Sequence, residues 1–251
     1  MAHKFSKIGY LHLMLLLLLP RVSWAENDSN IRWTTERWPK VAEEGGVGAY
    51  FDLLNAVYPA PEFQLVHSFL PYKRGILFVR EGRLDLFSLC TPTTDFYKAK
   101  HPWAQESIGV LFNNAVITEW HGLATLKNKN IALHKEIAFF PFLQRLDANL
   151  IKADSKAKSL LLLEKERVDF FLDIYINIQN ELKQRGDLDI SRYTFEPLDI
   201  VTCYPGFSPS PRGQKLRELW DKGIENLHKS GKLKKIYEKW QLEYPNYQWQ
   251  E

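Results

Sequence analysis

The chain reads as an α/β protein of two units, each a mostly parallel sheet flanked by helices. Short β-branched or aromatic runs alternate with amphipathic helical stretches along most of its length, which is the pattern of parallel strands joined by covering helices. Its 251 residues, 45% hydrophobic and 14% aromatic, supply apolar material for two cores of ordinary domain size. That composition excludes a disordered, collagen-like or disulfide-framework protein.

Residues 31–35, 63–69, 84–89 and 108–112 are predicted strands. Between them, Val47, Tyr50, Leu53, Leu54 and Val57 make a helical stripe over 47–57, and Tyr72, Ile76 and Val79 make another over 72–79. The second unit has predicted strands at 131–134 and 168–172 and helices at 139–146 and 155–166, with Asp154 or Ser155 as N-cap. A strand at 198–203 follows, then a loop marked by Pro205, Gly206, Pro209 and Pro211. Leu216, Leu219, Trp220, Ile224 and Leu227 define a long helix. Lys229-Ser230-Gly231 interrupts it, and Leu233, Ile236, Tyr237 and Trp240 define the last one. No flexible linker separates the units, so short strand-like connections near 113–118 and 196–200 would act as a two-strand hinge. Ligands favour domain interfaces and the carboxyl ends of parallel strands, so a cleft between two lobes is expected.

The amino terminus carries Lys4 and Lys7, a Leu-rich run over 13–19, and Val22-Ser23-Trp24-Ala25. This is the pattern of a secretory leader cleaved after Ala25; the apolar run is too short for a membrane span. Removing it takes away Lys4, Lys7 and Arg21, so the precursor's 33 basic against 30 acidic residues become 30 against 30. A neutral mature chain has no electrostatic footprint for nucleic acid, and the basic run at 232–235 reads as a solvated helix face. The mature protein is expected to be soluble, periplasmic and monomeric. In that oxidising compartment Cys90 and Cys203 are either bridged or buried as thiols; spacing alone does not choose.

Familiar catalytic signatures are missing from the sequence: His-Glu-x-x-His, Cys-x-x-Cys, Gly-x-Ser-x-Gly and a phosphate-binding Gly-rich loop. His67, His101, His121, His134 and His228 are scattered and suggest no metal trio. No cofactor, metal or catalytic residue is expected.

Five motifs in order carry a resemblance. Gly48-Ala49-Tyr50-Phe51-Asp52-Leu53-Leu54 opens a helix after the first strand, and Glu81-Gly82-Arg83-Leu84-Asp85-Leu86 leads into the third. Leu126-Lys127-Asn128-Lys129-Asn130-Ile131-Ala132 begins the second unit, and Glu166-Arg167-Val168-Asp169 precedes another strand. The ending runs from Ser230-Gly231-Lys232-Leu233 through Ile236-Tyr237-Glu238-Lys239-Trp240. Together they resemble family 3 of the type II periplasmic solute-binding proteins, whose best-known members serve polar amino-acid ABC importers. The resemblance spans nearly all the mature chain. It implies lobe 1 from 26–113 plus 201–251, lobe 2 from 114–200, and a clamp closing on a small solute for an inner-membrane ABC permease or a sensor.

Carried over position by position, the family's carboxylate-binding Arg falls on Tyr97, and its donor turn falls on Glu136-Ile137-Ala138. Its ammonium-binding acid has Asp173 as nearest match, four residues after Asp169 where the family has five. A one-residue slip on a strand reverses the face. Losing one partner of a buried ion pair costs about 3–5 kcal/mol, so an ordinary free α-amino acid is not the expected ligand. The candidate contacts are Glu36, Trp38, Tyr72, Arg74, Cys90, Tyr97 and Asp173. Two other readings keep the fold: a ligand-less signalling or protein-interaction module, and a dehydratase-like enzyme relying on Glu36, Glu136 or Asp173.

Overall fold

The computed structural model describes residues 29–90, 95–138 and 140–247. The leader-like segment 1–25 lies outside them, as do Asn27 and Asp28 of Asn27-Asp28-Ser29, a tripeptide of the N-glycosylation pattern. In chain order β1 (Asn30–Thr35), α1 (Ala49–Val57), β2 (Gln64–Phe69), α2 (Tyr72–Arg80) and β3 (Leu86–Leu89) form the first run. The short β4 (Tyr97–Lys98) and the long β5 (Ala104–Asn113) lead out of it. Then come β6 (Asn130–His134), β7 (Asn149–Ala153), α3 (Lys156–Glu164), β8 (Phe170–Ile174) and α4 (Tyr175–Gln184). The chain returns along β9 (Tyr193–Phe207) and ends in α5 (Pro211–Lys229) and α6 (Lys232–Trp240).

The strands join in the order β2-β1-β3-β9-β5-β8-β6-β7, with β4 added on β9. Each half repeats one arrangement. In lobe 1, β1 lies between β2 and β3, parallel to both; in lobe 2, β6 lies between β7 and β8, parallel to both. The halves share one antiparallel pair, β5 with β9, in register from Ala104↔Cys203 to Asn113↔Tyr193. β9 pairs with β3 from Tyr204 onward, and β5 pairs with β8 from Ile108 onward. Residues 104–107 and 200–203 pair only with each other, as a two-stranded connection between the half-sheets. Gly109 sits at the register shift beside this hinge. A Cβ there would lie 2.1 Å from the Glu196 carbonyl oxygen, so no larger residue fits without moving the partner strand.

Rings dominate the lobe 1 core. Trp33, Trp103 and Trp220 are fully buried; Tyr50 stacks on Trp103 at 3.9 Å and Trp220 meets it edge-on at 5.7 Å. Burying one such side chain contributes about 3 kcal/mol. The Tyr58 hydroxyl donates to the Leu216 carbonyl, the Tyr237 hydroxyl to that of Trp103 and the Trp220 Nε1 to that of His101, whereas the Trp33 and Trp103 Nε1 groups have no partner among the described residues. Gly48 opens α1 at φ 131°, where a Cβ would strike the Val41 carbonyl oxygen at 2.3 Å. Asp52 on α1 accepts 2.7 Å bonds from both Lys239 and Trp240 on α6, so the first and last motifs of the sequence meet. In lobe 2, Leu160, Leu163, Phe171 and Ile178 pack α3 and α4 on one face of the sheet.

Several sequence expectations are corrected. Among the described residues the 139–146 stripe is not an α-helix but the 3-10 turn Pro141–Arg145, begun by Pro141. The loop expected at Pro205 and Gly206 is strand, because β9 runs on to pair with β3. β7 and α4 were not expected. The predicted cap at Ser155 forms, its hydroxyl accepting the Lys158 N–H at 3.1 Å.

Candidate functional site: the cleft between the lobes

The cleft forms where strand ends of both lobes face each other. From lobe 1, the segment after β1 supplies Glu36, Arg37 and Trp38, the start of α2 supplies Tyr72, and the end of β3 supplies Cys90. From lobe 2, the end of β6 supplies His134, the following turns Ile137 and Phe140, the start of α3 Lys156, and the end of β8 with α4 Ile174 and Asn177. The cavity they enclose is about 50 Å³.

The lobe 1 wall is held internally. The Tyr72 backbone N–H donates to Glu36 Oε1 at 3.1 Å, and the Tyr72 hydroxyl accepts the Cys90 N–H at 3.3 Å. Arg37 is ion-paired with Glu44 and lies 5.1 Å over the Phe69 ring. Cys90 is disulfide-bonded to Cys203 on β9, which ties β3 to the hinge beside the cleft. On the opposite wall the His134 Nε2 lies 3.2 Å from the Asp154 carbonyl oxygen.

Two openings flank this centre. One, about 430 Å³, is lined by Glu36, Pro71, Tyr72, Lys73, Lys135, Ala138 and Lys152. The other, about 460 Å³, lies toward the hinge and includes Phe140, Arg145, Asp199 and Tyr204. Arg145 closes a 2.9 Å ion pair with Asp199 across it.

Of the residues singled out from sequence, Glu36, Trp38, Tyr72 and Cys90 line the cavity together. Arg74 is exposed on α2 and does not line it. Tyr97 is 39% exposed on β4, paired with Phe207. Asp173 is fully buried behind the lobe 2 wall. Its Oδ1 accepts the Ile174 N–H and the Asn177 amide, both at 2.7 Å, and its Oδ2 has no partner among the described residues. Burial raises its pKa against the opposing pull of Lys156, Asn177 and Ile174. Glu136 belongs to the short turn Lys135–Ile137.

Sequence reasoning did not find the lobe 2 wall. Its signal is topological: His134 closes β6, Lys156 follows β7, and Ile174 closes β8. All three lie at carboxyl ends of parallel strands, where open α/β sheets bind ligands. Among the described residues no group of three or more His, Cys, Asp or Glu side chains is placed to hold a metal ion, and no helix is long and apolar enough to cross a membrane.

No protein-family model matches the chain, and no curated protein does. Solved structures do. The GluR0 ligand-binding core in complex with L-glutamate superposes with a TM-score of 0.69 at 17% identity, covering 84% of this chain and 97% of that one. A histidine kinase sensor domain with similarity to periplasmic binding proteins gives 0.66 at 14%, covering 84% and 95%. A histidine-bound substrate-binding protein of an ABC uptake transporter from Streptococcus pneumoniae gives 0.63 at 14%, covering 84% and 92%. These likenesses, with the β2-β1-β3 and β7-β6-β8 halves joined by β5 and β9, establish the architecture. The chain has the two-lobed fold of the type II periplasmic solute-binding proteins.

Proposed function

We propose that this protein is an extracytoplasmic solute-binding clamp. It closes two lobes on a small polar or aromatic solute and presents it to a membrane transporter or receptor. The observation that carries this reading is a cleft lined by both lobes across a two-strand hinge. A ligand touching both walls stabilises the closed form by its differential contacts there. Glu36, Trp38, Tyr72 and the backbone around Cys90 are the lobe 1 contacts. The leader-like residues 1–25 and the Cys90–Cys203 bond support export to an oxidising compartment.

An ordinary free α-amino acid is a poor fit. Tyr97 stands where a carboxylate-binding Arg would be needed, and it lies on β4 outside the cavity lining. Asp173, the nearest acid for an ammonium, is spent inside lobe 2 on the start of α4. Each missing charge partner weakens binding by about 3 kcal/mol or more, on the order of 10²-fold.

Isothermal titration of the chain beginning at Glu26 against a solute library, with small-angle scattering on each hit, tests the proposal. Binding accompanied by a smaller radius of gyration supports it. A second reading has an observation of its own: the central cavity where Trp38 and Tyr72 face Lys156 is only about 50 Å³, against several hundred for common ligand pockets. A library without a single hit on folded protein favours the ligand-less interaction module.

A further inference from the structure

The two walls of the cleft differ in charge. Lys156 lines the cavity from lobe 2 and is half-buried. It closes no ion pair with a described residue; Asp173 and Glu181 feel its charge only through space. Burial raises the pKa of both acids, which favours their neutral forms and leaves the lysine's charge less compensated.

The adjoining mouth has the same sign. Lys73 reaches it from lobe 1 and Lys135 and Lys152 from lobe 2. Of these, Lys135 is tied to Asp154 at 3.5 Å. Cavity and mouth together present four lysines, and the carboxylate lining both is Glu36, whose Oε1 already accepts the Tyr72 N–H. A cleft lined this way draws anions in and offers an ammonium group little. Trp38, Tyr72 and Phe140 add ring surface to it, beside Arg37, which is paired with Glu44, and the polar side chains of His134 and Asn177.

Resting on the solute-binding reading above, we propose that the ligand is an aromatic carboxylate without a required amino group. Its carboxylate pairs with Lys156, and its ring packs among Trp38, Tyr72 and Phe140. Lys156 and the lobe 1 rings already line one cavity of about 50 Å³, so the lobes part to admit the ligand and one short molecule then bridges both walls.

Titration with phenylacetate and indole-3-acetate, beside phenethylamine, tryptamine, phenylalanine and tryptophan, tests this directly. The two acids should bind at least 10-fold more tightly than the amines and zwitterions, with affinity falling as salt rises. Lys156→Met should weaken acid binding by 10-fold or more. Lys158→Met, on an exposed neighbour paired with Asp154, should leave it unchanged. Equal or tighter binding of amines or zwitterions overturns the inference and leaves the solute-binding reading standing. So do unchanged affinity in folded Lys156→Met, or hits from the wider library that exclude aromatic acids. If neither these compounds nor the library bind, both readings fail.

Discussion

In lobe 1 the carboxylate of Asp85, just before β3, accepts the backbone N–H of Arg32 at 2.8 Å; in lobe 2 that of Asp169, just before β8, accepts the N–H of Asn130 at 2.8 Å. The two acids occupy equivalent places in equivalent half-sheets, each pinning the edge of the third strand to the first. Their surroundings differ. Asp85 is 4% exposed and also accepts Arg212 Nε at 2.8 Å, from the helix that returns after the hinge. Asp169 is 24% exposed, and its other partner is the solvated Lys129 at 3.4 Å. One device thus holds β1, β3 and α5 together in lobe 1 and only edges a sheet in lobe 2. Lobe 1 is the more heavily braced half, with its Trp cluster, its disulfide and this half-buried ion pair, and lobe 2 is the lighter one.

The largest test of that contrast is a matched pair of substitutions. Asp85→Ala leaves Arg212 and the Arg32 N–H without their carboxylate and should cost about 3–5 kcal/mol. Asp169→Ala loses one backbone bond and a screened pair, about 1 kcal/mol. Urea unfolding with unchanged m-values reads both; equal losses would break the comparison. Next comes Cys90→Ala combined with Cys203→Ala. The bond closes a loop across a sequence separation of 113 residues, so its removal should cost about 3 kcal/mol, roughly 6–12 °C in Tm. Hydrogen exchange sharpens the result: faster exchange should appear in β3 and the 200–203 part of β9, and β6 and β7 should keep their protection.

How much of this was legible in sequence follows the same contrast. β3 and β8 read correctly as strands because Leu86–Leu89 and Phe170–Ile174 are buried on both faces and so form apolar runs broken only by Ser88 and Asp173. α5 and α6 read correctly because their apolar residues keep helical spacing. β7, at the edge of lobe 2, alternates too weakly to stand out. α4 has Tyr175, Ile178 and Leu182 at helical spacing but fully buries only Ile178, so its stripe is thin. Phe140, Phe142 and Leu143 imitate helical spacing, yet they fill the core from a 3-10 turn. In the site, Trp38 and Tyr72 announce themselves as rings beside recognisable motifs. Lys156 does not: among so many solvated lysines, only the position of α3 after β7 brings it to the cleft.

The smallest effect concerns one position that the half-sheets fill differently. Four residues after the shared acid, lobe 1 has Leu89, 1% exposed, and lobe 2 has Asp173, 0% exposed. Burial raises the Asp173 pKa from its ordinary 3.8, outweighing Lys156, Asn177 and the Ile174 N–H. The folded chain therefore keeps a proton that the unfolded chain releases. The contribution of this group to stability is full below pH 3.8 and is lost as pH rises through the folded-state pKa. Asp173→Asn keeps an oxygen acceptor for Ile174 and Asn177 and removes the titration. Its stability relative to wild type, followed by urea unfolding from pH 3.5 to 7, should climb with pH. A flat difference would mean that Lys156 holds Asp173 charged. The lobe 2 lysine would then be committed to its own lobe, and the charge asymmetry between the two walls would disappear.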